Sequence, residues 1–159
     1  MRNRNKDLID RFEHDAVPED SFHHADHVRL AFAYLCEYPV LQALEKFASA
    51  LKRFATARGK TQLYNETITC AYFFLIRQRI VACCENADWE EFARQNPDLL
   101  IWKDGVLSRY YREATLKSDL ARRVFVLPDK SFEFTGSGGI SNSATTEFTS
   151  LLELARHQR

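Results

Sequence analysis

Apolar residues recur three and four positions apart along most of this chain, and no stretch alternates as a half-buried strand would. Leu8, Ile9 and Phe12 stripe a first helix from about Lys6 to Asp15. A second amphipathic helix runs from Val28 to Glu37, with Asp20 or Ser21 as its cap and Pro39 as its end. A third, from about Val40 to Arg58, carries Leu41, Leu44, Phe47, Leu51 and Phe54 on one face, with Gly59 as its C-cap. The fourth is long, from about Gln62 to Asn86. Asp88 and Glu91 resemble a capping box opening a short fifth helix that Pro97 ends. Further short helices are expected over Leu99 to Tyr111 and Ser118 to Val126. The pattern predicts an all-α protein: a helical bundle with three or four long helices plus short C-terminal helices.

The pattern breaks after Pro128. Residues 1–129 read as one bundle domain, 130–143 as a flexible Gly/Ser-rich connection around Gly136-Ser137-Gly138-Gly139, and 144–159 as a C-terminal amphipathic helix. That last segment carries Phe148, Leu151, Leu152 and Leu154, a face fit to dock on the body or to pair two chains as a homodimer. A length of 159 residues suits one domain able to bury its own core. Twenty-two basic and 22 acidic residues cancel, which argues against nucleic acid or an anionic membrane as partner. No apolar run approaches the ~20 residues of a membrane span, and the polar start Met1-Arg2-Asn3-Arg4 is unlike a secretory signal. The four cysteines, Cys36, Cys70, Cys83 and Cys84, form no CxxC pair and read as reduced thiols of a cytoplasmic protein.

Three of the five histidines crowd into Phe22-His23-His24-Ala25-Asp26-His27. Imidazole is the commonest side-chain metal ligand and the usual proton carrier near neutral pH. Short connections near Pro39 and Gly59 make the second, third and fourth helices antiparallel neighbours, so the second and fourth start at the same end of the bundle. His24 and His27 share a stripe with Ala31 and Leu35, and Glu66 shares one with Thr69, Phe73, Ile76 and Ile80. Two imidazoles and one carboxylate are therefore expected to converge. His24, His27 and Glu66 can supply three ligands to a divalent transition metal (zinc, iron or manganese), leaving positions open for water and a small-molecule substrate. Without metal, the same three groups could do general acid–base work, with Glu66 setting the tautomer of one histidine, and Glu66 and His23 stand as the candidate catalytic residues. Tyr64, Asn65 and Arg122 stand as supporting or substrate contacts, while Asp26 falls on another helical face. The competing reading is a non-catalytic ligand-binding or interaction module whose His/Glu cluster is a structural hydrogen-bond network. A deep pocket at the cluster favours the first reading, and a filled core with the histidines bonded to backbone carbonyls favours the second. Tyr64, Tyr110, Tyr111 and Trp102 can line a pocket, although ordinary core packing accounts for them more simply.

At these residues the chain resembles a bacterial family of uncharacterised small helical proteins bearing F-x-H-x-x-H and, some forty residues on, Y-H-E-T-[IL]-T. The first motif is Phe22-His23-His24-Ala25-Asp26-His27 here, and the second is Tyr64-Asn65-Glu66-Thr67-Ile68-Thr69. The resemblance spans residues 10 to 129 and assigns no reaction, but it implies importance for His24, His27 and Glu66. This chain departs from the pattern at Asn65, where the motif has histidine. Asparagine binds transition metals poorly and carries no proton at neutral pH.

Overall fold

A computed structural model describes residues 3–83, 86 and 88–130. The expected connection beyond residue 130, the 144–159 helix and Cys84 lie outside the described residues. Within them the protein is all-α, with no strand. Helix α1 spans Arg4–Glu13, α2 His24–Glu37, α3 Val40–Ala57 and α4 Glu66–Cys83. Three shorter helices follow: α5 Trp89–Gln95, α6 Glu113–Leu116 and α7 Asp119–Arg123.

Helix α2 is the centre of the bundle. It packs against α1, α3 and α4, and α3 packs against α4. Its residues Val28, Leu30, Ala31, Phe32, Ala33 and Tyr34 are all essentially inaccessible. Opposite them lie Phe47 of α3 and Phe73 and Ile76 of α4. Each such large side chain contributes roughly 1.5–3 kcal/mol on burial.

Several element boundaries differ from those expected. Helix α2 starts at His24, not Val28, and neither Asp20 nor Ser21 caps it; both belong to a separate 3-10 turn, Glu19–Ser21. His23 is extended (φ −105°, ψ 178°), and the Asp26 carboxylate accepts its backbone N–H at 2.9 Å, so the histidine segment supplies its own helix start. Helix α4 starts at Glu66 rather than Gln62, because Thr61–Leu63 form a 3-10 turn and Tyr64 is extended. Asp88 does cap α5, accepting the Glu91 N–H at 2.9 Å. The continuous helix expected over Leu99 to Tyr111 is instead two 3-10 turns, Pro97–Leu100 and Val106–Arg109, separated by irregular chain. Ser118 caps α7, which stops at Arg123. Beyond it the chain crosses back to α4: Thr67, wholly buried, donates to the Val124 carbonyl at 2.8 Å and accepts the Val126 N–H at 3.0 Å. Among the described residues no helix is long and apolar enough to cross a membrane.

Candidate functional site: a histidine-lined cavity

The N-terminal ends of α2 and α4 meet at one end of the bundle, as the short connections require. His23, His24 and His27 from the first, and Asn65, Ile68 and Thr69 from the second, line one cavity of about 740 Å³. Helix α3 closes a side with Phe47, Leu51 and Phe54. Its volume lies in the range of small-molecule sites, ~300–1,000 Å³. The exposed lining residues Glu19, Asp20 and Lys60 mark its opening.

His24 is fixed by its neighbours. Its Nε2 lies 2.8 Å from the Leu99 carbonyl oxygen, which can only accept, so Nε2 carries the proton. The ring meets Tyr72 edge-on at 4.9 Å and Trp102 at 5.2 Å between centroids. Burial lowers the His24 pKa, an effect that outweighs the stabilising bond to Leu99, so the ring is neutral at pH 7 and Nδ1 holds a lone pair. No described residue bonds that nitrogen.

His27 sits deeper. Burial, and then the neighbouring His24, lower its pKa to about 4. His27 nevertheless keeps accessible surface and lines the cavity. Phe22 packs on it at 4.3 Å. Among the described residues its imidazole makes no side-chain hydrogen bond.

Glu66 takes a different course. Its Oε2 accepts the Tyr64 hydroxyl at 2.8 Å and lies 3.4 Å from Lys52 Nζ, and it does not line the cavity. Lys52 also stands 5.0 Å over the Tyr64 ring. The expected three-way meeting with His24 and His27 is therefore not made. No group of three or more His, Cys, Asp or Glu among the described residues is arranged to hold a metal ion. His23 is exposed at the rim, and its backbone, not its ring, is what Asp26 holds. Tyr64 lines the cavity, and burial followed by its bond to Glu66 raises its pKa, so it remains a neutral donor.

Asn65 lines the cavity but has both ends of its amide committed. Oδ1 accepts the Ile68 N–H at 2.9 Å, capping α4, and Nδ2 donates to the Leu116 carbonyl at 2.8 Å. Arg122 is exposed on α7 and is not among the lining residues. Of the aromatic residues singled out in the sequence, Tyr64 and Trp102 reach the cavity. Tyr111 is core, its hydroxyl donating to the Val126 carbonyl at 2.8 Å, and Tyr110 packs against that core.

The residues that sequence reasoning missed are Phe22, Phe54, Arg58 and Tyr72. Phe22 lies within the histidine motif, and an aromatic residue beside clustered histidines was the available signal. Arg58 is tied down on every side: it pairs with Asp15 at 2.8 Å, donates to the Phe54 and Val17 carbonyls, and lies 3.5 Å over the Phe54 ring. Lys60 pairs with Glu19. The two cations among the lining residues, Arg58 and Lys60, thus each have an acidic partner. Chemically, the cavity offers aromatic walls and two neutral imidazoles. Comparison of the chain with known protein families, curated proteins and solved structures finds no match.

Proposed function

We propose that this protein binds a small, largely apolar molecule in the cavity between the starts of α2 and α4. The observation that carries the reading is the combination of an aromatic-walled space of about 740 Å³ with an imidazole, His27, that faces it and finds no protein partner among the described residues. A ring nitrogen without a protein partner bonds either water or a ligand, and a molecule bound in the cavity supplies that partner. Titration with N-phenyl-1-naphthylamine, an uncharged fluorophore, tests the reading. A saturable one-to-one rise in emission is expected. Ala55→Phe, which fills the cavity from α3, is expected to weaken it at least about tenfold with helicity unchanged, a loss of ~1.4 kcal/mol. No saturable rise, or an affinity untouched by Ala55→Phe, would refute it.

A second reading has support in the two neutral imidazoles one helical turn apart: His24 and His27 hold a divalent transition metal (zinc, iron or manganese), and water or a ligand completes its shell. Glu66, whose Oε2 is held by Tyr64 and Lys52, would join only by turning toward the cavity, which it does not line. Elemental analysis of untagged protein should then find metal that His24→Ala/His27→Ala removes; metal-free wild type contradicts it. Catalysis by Glu66 or His23 would need that same rearrangement or a substrate reaching the rim. The unpaired thiols Cys36 and Cys70 support placing the protein in a reducing compartment such as the cytoplasm.

A further inference from the structure

The lining of the cavity says more about its ligand than that it is apolar, provided the cavity is a binding site as proposed above. Consider charge first. Arg58 is held by Asp15 and two carbonyls, and Lys60 by Glu19. Asp20 adds a negative charge at the opening. An anionic ligand would find no uncommitted cation there and would meet a carboxylate on entry. A cationic ligand would leave its charge among aromatic walls and two neutral rings, with no carboxylate deeper than the rim.

Now consider hydrogen bonding. His24 has its Nε2 proton committed to Leu99, so what it has left is an acceptor, Nδ1. His27, neutral and unpartnered among the described residues, has one acceptor and one donor. The two rings are three residues apart on α2, which makes them neighbours on the helix surface, ~5–6 Å between Cβ atoms. A ligand carbonyl or ether satisfies His27 alone and leaves the His24 acceptor unmet. A hydroxyl both donates and accepts, so one hydroxyl can donate to His24 Nδ1 while accepting from His27 N–H. The surrounding rings of Phe22, Phe54, Tyr72 and Trp102 suit a flat body.

We infer that the cavity selects an uncharged aromatic or polycyclic alcohol or phenol, with its hydroxyl held between His24 and His27. Isothermal titration calorimetry at pH 7 with 1-naphthol, 1-methoxynaphthalene and 1-naphthoate separates the possibilities. The naphthol is expected to bind about tenfold tighter than its methyl ether, the worth of one or two neutral hydrogen bonds, and the naphthoate more weakly than both. In His27→Phe the preference of naphthol over ether is expected to fall to within about twofold. The wild-type ratio decides the question even where a variant fails to fold. Equal affinity for naphthol and ether, or tightest binding of the naphthoate, overturns this inference while leaving the apolar site standing. Failure of the fluorophore itself to bind wild-type protein overturns both.

Discussion

Replacing Asn65 separates a structural residue from a functional one at the edge of the cavity. Its Oδ1 caps α4 through the Ile68 N–H, and its Nδ2 ties the start of that helix to the Leu116 carbonyl. Loss of an N-cap costs about 1 kcal/mol. Loss of one neutral hydrogen bond in a part-buried place costs about 1 kcal/mol more. Asn65→Ala removes both and should cost about 2 kcal/mol, a sizeable share of the ~5–15 kcal/mol by which a domain is stable. Asn65→Ser keeps a good capping oxygen and loses only the tether, so about 1 kcal/mol is expected. Urea unfolding followed by circular dichroism measures both, with unchanged slopes marking a change in stability alone. The order wild type, then Ser, then Ala is the signature. An Asn65→Ala protein within about 0.5 kcal/mol of wild type that has lost the fluorophore would refute the reasoning, because the amide would then be serving the ligand and not the helix.

Two further substitutions probe the frame around the site. At Gly105 an added Cβ would lie 2.5 Å from the Ile101 carbonyl oxygen and 2.9 Å from the Tyr72 hydroxyl. Gly105→Ala should therefore cost about 1–3 kcal/mol in thermal or urea unfolding, and it should weaken fluorophore binding, because Tyr72 and Trp102 beside it line the cavity. Asp98 is paired with Arg79 at 2.9 Å, which holds its carboxyl below its usual pKa of 3.8. Between the two pKa values the unfolded chain binds the extra proton, so the stability from this pair is fully present above about pH 5 and is lost as pH falls through the folded pKa. The gap between wild type and Asp98→Asn, about 1 kcal/mol at pH 7 once solvent screening is allowed for, should shrink in urea titrations carried down to pH 3; a constant gap would contradict this.

The site was legible in the sequence as far as helical geometry carries. Short links at Pro39 and Gly59 bring the starts of α2 and α4 together, and the spacing of His24 and His27 turns both rings to one wall. Geometry did not carry Glu66, whose stripe points inward but whose carboxylate follows partners from elsewhere. Tyr64 is extended with ψ 134°, placing its hydroxyl on that carboxylate, and Lys52 reaches it from α3. Such contacts depend on neighbours brought close by the fold, which periodicity along one helix does not encode. The start of α2 was hidden for a related reason. Apolar spacing begins at Val28, whereas the helix begins where Asp26 can satisfy the His23 N–H. Trp102 and Gly105 lie in irregular chain between two 3-10 turns, where no period exists to be read.

The central claim is that a ligand occupies the space His24 and His27 face. Histidine-ring NMR of the full chain, with added N-phenyl-1-naphthylamine, tests it, because His14 bonds the Asp10 carbonyl, is not among the residues lining the cavity and serves as an internal control. The His24 and His27 ring signals are expected to shift together and saturably while His14 stays still. Unmoved His24 and His27 signals at saturating fluorophore would contradict it.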